Sequence, residues 1–339
     1  MAYRLQPAKP FPAEFRSVAR SQLEKAIQLL EEQPDGPHEA VHDARKKFKR
    51  VRALYRLVQP EAKAFRKREN ARIRDMAQAL SAVRDATALV ETVDYLSQGA
   101  GSPEEKAALS FARTILSDRR DRIAAEEHDL PAKMQSAAAA CRAAIAALDQ
   151  LDLAHGPRRT GAMLARVWKT QGTKARAALR ECHENAHAEA FHELRKSGQT
   201  YWMHLALLGG IWPSAMRAKQ AEAKQLVDLL GHEHDLSVLT QLVDESPELF
   251  GDSETLARIL GAIIARQQSL RQEALPVAAL VFGDEAAIEA DIVARLWKDA
   301  ARSGRKSGKR KHPDRPPAPA KESAPANTSA VPEQRLAAE

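Results

Sequence analysis

The stretch Val41-His42-Asp43-Ala44-Arg45-Lys46-Lys47-Phe48-Lys49-Arg50-Val51-Arg52-Ala53-Leu54-Tyr55-Arg56-Leu57 decides how this chain folds. Read at about 100° per residue, it separates into two faces. His42, Arg45, Lys46, Lys49, Arg52 and Arg56 fall within an arc of about 120°, and Ala44, Phe48, Val51, Leu54, Tyr55 and Val58 fill the opposite one. One face is core and the other is a basic stripe, about 21 Å long at 1.5 Å per residue. Like charges three and four residues apart on a helix repel each other. Little on that face compensates them, so an external polyanion would relieve the strain.

The rest of the chain has the same helical character. Residues 12–300 are rich in Ala, Leu, Glu, Arg and Lys, all good helix formers, and alternating β-branched runs are almost absent. The pattern predicts helices over 12–32, 38–58, 61–97, 104–129, 132–149, 162–185, 188–209, 214–245, 253–273 and 284–301. Turn chemistry separates them near Pro34, Gly101, Gly156 and Pro247. Ser102-Pro103-Glu104-Glu105 reads as a helix start, with serine at the cap and proline just inside. Long helices joined by short loops imply antiparallel bundles.

A second stretch repeats the first. Ala190-Phe191-His192-Glu193-Leu194-Arg195-Lys196 lies 150 residues after Ala40-Val41-His42-Asp43-Ala44-Arg45-Lys46. The same offset aligns Leu80-Ser81-Ala82-Val83-Arg84-Asp85 with Leu230-Gly231-His232-Glu233-His234-Asp235, Arg16 with Arg166, and Arg74 with Lys224. Several matches in one ungapped register point to an internal duplication. The expected fold is therefore all-α, with two pseudo-symmetric antiparallel helical bundles covering about 12–150 and 162–300. The second helix keeps less of the stripe, because Gln199, Trp202 and Ala206 stand where the first has Lys49, Arg52 and Arg56. This half should bind anions more weakly. Arg20 on the first helix adds a further cation, and Asp85 is expected to orient a basic helix across the bundle.

The charge is unevenly distributed. The 339 residues carry a net +7. Nine basic and four acidic residues fall within 301–339, so this stretch holds +5 and the body only +2. The stretch is rich in Pro, Ala and Ser, lacks periodic apolar positions and is expected to be disordered. Its Arg305-Lys306-Ser307-Gly308-Lys309-Arg310-Lys311-His312 run could attract nucleic acid weakly and nonspecifically. No run of eighteen apolar residues or secretory signal is present, so the expected setting is the cytoplasm, away from membranes.

Glycine-rich nucleotide loops and a regular ladder of base-stacking aromatics are both missing. Cys141 and Cys182 cannot make a disulfide framework or a four-thiolate metal site, and they read as packed thiols. A metal-dependent phosphohydrolase is the enzymatic alternative, using His232, His234 and Asp235, or His183 and His187 on one face with His192. There is no HExxH, however, and residues two apart, like His232 and His234, do not share a helical face. A scaffold that meets nucleic acid through the basic tail is the other alternative.

The paired His-x-x-Arg-Lys helices, together with ALSAVRD (residues 79–85) and LLGHEHD (residues 229–235), resemble the CHAD family, the conserved histidine α-helical domains. The resemblance covers about residues 12–300. It implies two pseudo-symmetric helical bundles whose basic surfaces meet at a central groove or pore. It also implies non-enzymatic binding of inorganic polyphosphate, with some members localising to polyphosphate granules. Such domains are often joined to a triphosphate tunnel domain. Here the helical pattern starts near residue 12, so a stand-alone domain is expected. The candidate polyphosphate-binding residues are Arg16, Arg20, His42, Arg45, Lys46, Lys49, Arg52, Arg56, Arg74, Arg84, Arg166, His192, Arg195, Lys196 and Lys224. No metal or other cofactor is expected. Polyphosphate suits the residues chemically, since arginine forks grip two phosphate oxygens and imidazoles donate one or two hydrogen bonds.

Overall fold

The structure, a computed structural model, describes residues 3–153 and 156–309, with the backbone alone for 304–309. Eleven α-helices account for most of the described residues. They are α1 (Phe11–Glu32), α2 (Pro37–Leu57), α3 (Lys63–Ala79), α4 (Ala82–Ser97), α5 (Pro103–Glu126), α6 (Leu130–Asp149), α7 (Pro157–Glu184), α8 (Ala188–Leu208), α9 (Pro213–Glu245), α10 (Ser253–Phe282) and α11 (Ala286–Lys309). A single 3-10 turn, Pro247–Phe250, joins α9 to α10.

Local chemistry explains the helix ends. Ser102 caps α5 by accepting the Glu105 N–H at 3.1 Å, and the Glu105 carboxylate accepts the Gly101 N–H at 2.9 Å. Gly36, at φ +88°, makes the turn into α2, a backbone conformation that a side chain would strain. Along α7, Gly161 and Gly172 let α11 approach closely. A Cβ at Gly172 would sit 2.8 Å from that of Ala286.

The helix pairs pack in corresponding ways. α1 lies against α2 and α6, and α7 lies against α8 and α11; α4 pairs with α5, and α9 with α10. The buried core does not follow the chain's midpoint. One large apolar cluster takes Phe15, Phe48 and Tyr55 together with Trp168, Phe191 and Trp297. A second joins Leu89, Val93 and Leu109 to Leu239, Phe250 and Ile263. Each cluster draws on both halves of the sequence, so the two halves fold as one packed body.

Several boundaries differ from the sequence expectation; α7 begins at Pro157, five residues before the expected 162, and α5 ends at Glu126, three before the expected 129. The expected helix 61–97 is two helices, broken at Leu80–Ser81. The partner segment stays helical through Gly231 as the single helix α9. The helix expected to stop at 273 runs nine residues further, through Pro276. Proline removes one backbone hydrogen bond there, but Ala274, Ala278, Val281 and Phe282 are all buried by the continuation and offset that loss. Finally, residues 301–309 extend α11 and do not begin a tail. The remainder of the expected disordered stretch, 310–339, lies outside the described residues.

Candidate anion-binding groove

α2 and α8 face each other, and a buried bond fixes their approach. His204 of α8 is 1% exposed, and its Nε2–H donates to the Ala53 carbonyl of α2 at 3.0 Å. Burial pushes this imidazole down to about 4, so it is neutral at pH 7. Arg56 adds a cross-helix bond to the Thr200 hydroxyl.

Two connected hollows lie along this seam. The first, about 320 Å³, is lined by Lys49, Arg52 and Arg56 from α2, and by Lys196, Gln199, Thr200 and Met203 from α8. The second, about 520 Å³, is lined by His42, Arg45, Lys46 and Lys49 of α2, Arg84 and Asp85 of α4, Arg195 of α8, and His234 and Asp235 of α9. Lys49 borders both, so the cationic surface is continuous.

The charges in this groove are poorly compensated. Lys49 has no ion-pair or hydrogen-bond partner among the described residues. Burial, and then Arg195 and Arg45, push its ammonium below the usual lysine range, with Asp235 opposing. Arg195 Nε is buried without a partner, and burial lowers its guanidinium despite Asp235 and Glu233 nearby. Arg52 bonds only the neutral Asn70, at 2.9 Å. Arg56 is pushed down to about 10 by burial, then by Arg52 and Arg66. A guanidinium shifted this far still carries its charge at pH 7. These side chains are half-exposed or exposed, but their like charges crowd one another, so an anion entering the groove gains the attraction of several of them at once.

The two histidine helices make equivalent contacts 150 residues apart. Arg84 Nε donates to His42 Nδ1 at 2.9 Å. At the corresponding positions, His234 Nδ1 meets His192 Nδ1 at 3.2 Å, with ring centroids 4.6 Å apart. Burial lowers all three imidazoles, with neighbouring cations adding to the effect, and His234 falls to about 4. Asp85 lies 3.5 Å from Arg45. Its counterpart Asp235 is raised by burial and opposed by Arg195.

Not every candidate gathers here. Arg16 donates to the Leu148 and Leu151 carbonyls at 3.1 and 2.5 Å, satisfying the end of α6. Arg20 pairs with Asp149 at 2.9 Å, at the same helix end. Arg166 sits on the exposed side of α7, 3.9 Å from Glu61. Lys224 is held by Asp228 at 2.5 Å. Arg74 is exposed beside Asp75, though close enough to affect Arg52. Inside the groove, Lys46 bonds Asp43 at 2.8 Å and Lys196 bonds Glu193, so each has a carboxylate competitor.

Arg66 of α3 was absent from the sequence reading. It crowds Arg52 and Arg56 electrostatically, and its Nε is buried without a partner. No offset or motif marks it; only the packing of α3 on α2 brings it there.

The metal constellations do not assemble. His232 stacks flat on Tyr95 at 4.1 Å, whereas His234 meets His192. α7 ends at Glu184, between His183 and His187, and His187 caps α8 by accepting the Ala190 N–H at 3.1 Å. The cluster that could hold an ion among the described residues is Glu39, His42 and Asp43. There Lys46 bonds one oxygen of Asp43, and Arg84 donates to Nδ1 of His42. Cys141 and Cys182 are buried, and burial pushes both thiols up to about 12.

Fold and groove together define an all-helical scaffold that sets two histidine-bearing helices against each other across a cationic seam. The chain belongs to the CHAD-domain family, whose model matches residues 17–244. A crystal structure of the CHAD domain from the plant Ricinus communis shares the fold with a TM-score of 0.59. It is 17% identical, and the match covers 84% of this chain and 95% of that one. No curated protein matches the chain. CHAD-family helical domains are generally non-catalytic scaffolds. No described helix is long and apolar enough to cross a membrane.

Proposed function

We propose that this protein binds inorganic polyphosphate along the α2–α8 groove and thereby joins or organises polyphosphate granules in the cytoplasm. The observation that carries the reading is Lys49, an ammonium with no ion-pair partner among the described residues that lines both hollows and feels the like charges of Arg195 and Arg45. A flexible chain of phosphates supplies one anion to each successive cation without needing bases to be stacked or sugars to be read. Of the fifteen candidates, the reading assigns direct contact to Arg45, Lys49, Arg52, Arg56 and Arg195, joined by Arg66, with His42, Arg84 and His192 at the wider end. Arg16 and Arg20 are assigned to stabilising the end of α6. The equivalent His42–Arg84 and His192–His234 contacts support descent of the two halves, about 12–150 and 162–300, from one duplicated unit.

The test is competition. Long-chain polyphosphate should bind the full chain at physiological salt and resist displacement by duplex DNA at equal phosphate concentration. DNA binding as tightly would overturn the preference and favour the nucleic-acid reading. Phosphate release from polyphosphate by the purified protein would overturn the non-enzymatic one.

A further inference from the structure

The two halves of the groove differ at one pair of contacts. Arg84 Nε donates to His42 Nδ1 at 2.9 Å, and 150 residues later His234 Nδ1 lies 3.2 Å from His192 Nδ1. A permanent cation in the first half is thus replaced by a titratable ring in the second. By this equivalence His234 is the donor: its Nδ1 carries the shared proton, and His192 Nδ1 accepts it. That leaves the Nε2 lone pair of His234 to take a proton. His234 lines the larger hollow with Lys49, Arg195 and Asp235, so a charge gained there is gained by the groove.

Protonation at Nε2 turns His234 into an imidazolium that still donates its Nδ1–H to His192, as Arg84 does to His42. A second proton on the pair would set two N–H groups against each other, so the pair takes up one. His42 has no such capacity, because protonating its Nδ1 would break the bond from Arg84. In the empty groove the surrounding charges oppose the proton. His234 is pushed down to about 4 by burial, then by Arg195, His192 and Lys49. Burial also lowers His192, followed by Lys196, with Arg195 adding and Glu189 and Glu193 opposing. The nearby carboxylates are engaged elsewhere. Glu193 is bonded by Lys174 of α7 and by Lys196, and Glu233 by Arg271 of α10. On the α4 side, Asp85 faces Arg45, and Arg84 is shared between His42 and Glu91. Asp235 is itself raised by burial, against the pull of Arg195. No carboxylate lies within ion-pair distance of His234 among the described residues. An anion placed among these cations removes the opposition.

We infer that the His192–His234 pair is a proton-operated part of the groove: a bound polyanion draws one proton onto the pair, and acid therefore strengthens binding. This rests on the groove reading. The coupling is reciprocal, since an anion that favours the imidazolium is favoured by it equally. An anion that returns the His234 imidazole from about 4 to its ordinary 6.5 gains about ten-fold in affinity between pH 8 and pH 5.5, and takes up about 0.9 of a proton at the lower pH. The internal phosphates of a long chain stay ionised throughout this range, so the change belongs to the protein.

The experiment titrates long-chain polyphosphate into the full chain by calorimetry at about pH 8 and about pH 5.5, in two buffers of unlike ionisation heat, and repeats this with His234→Arg and His234→Asn. The wild type should show both the rise in affinity and the proton uptake. His234→Arg restores the permanent cation of the first half, so at the higher pH it should bind as tightly as the wild type does at the lower one. Both variants should lose the uptake and most of the pH dependence. Equal pH dependence and uptake in all three proteins, or no rise in the wild type, would overturn the inference. Failure of the groove reading looks different, because a Lys49→Gln, Arg195→Gln protein would then bind as tightly as the wild type at both pH values. Unchanged thermal midpoints would establish that the variants are folded, and if His234→Arg is not, His234→Asn carries the comparison.

Discussion

Replacing Lys49 and Arg195 together by glutamine separates a binding surface from a stabilising one. Four groove-lining cations, Lys49, Arg52, Arg56 and Arg195, have no carboxylate within ion-pair distance among the described residues. With the six direct contacts assigned above and about 0.7 per phosphate contact, the wild-type affinity should fall about 340-fold between 50 and 200 mM salt, and that of the double variant only about fifty-fold. At fixed salt, each lost charged hydrogen bond should cost about 1.5–3 kcal/mol of binding. Stability should respond oppositely. Burial and like charge already disfavour the Lys49 ammonium, so losing that charge should leave the thermal midpoint level or higher. The assay is titration of labelled polyphosphate across a salt series, with calorimetric unfolding of the same samples. An unchanged salt slope would refute the reasoning. So would a lower midpoint, which would mean that these cations hold the helices together.

Two further outcomes follow from buried polar contacts. His204 is neutral when folded at about 4, below its unfolded value of about 6.5, so the unfolded state takes up the proton first as pH falls. Its contribution should be complete above about pH 6.5 and decline by about 3 kcal/mol towards pH 4, and His204→Ala should flatten that part of the stability–pH curve measured by urea unfolding. A curve of unchanged shape would contradict this. Glu233, 1% exposed, holds Arg271 at 2.7 Å. Glu233→Gln should destabilise by about 3 kcal/mol because it strands the guanidinium, and adding Arg271→Met should recover most of that loss; additive losses on thermal melting would count against it.

Much of the helical fold could be read locally. α2, α8 and α9 begin and end within a residue of the expected positions, because their faces and end signals are local properties. The misread boundaries have non-local causes. The helix expected to end at 273 continues instead through Pro276, because burying Phe282 and its neighbours carries α10 on. The His-x-x-Arg helices and their offset were also legible, since both are repetitions in one dimension. The commitments of Arg16 and Arg20 were not. Their partners lie 132 and 129 residues away, at the end of α6.

By itself, the sequence determined an all-helical chain with a cationic face on α2 and a thinner copy of it 150 residues later. Periodicity settles which residues share a helix face. It does not settle what that face meets. Only the tertiary structure decided that α2 opposes α8, that Arg195 and Asp235 share a hollow with Lys49, that Arg66 joins Arg52 and Arg56, and that both halves share each core. The physical reason is that a charge becomes free or paired through neighbours brought by packing, and those neighbours stand far away along the chain.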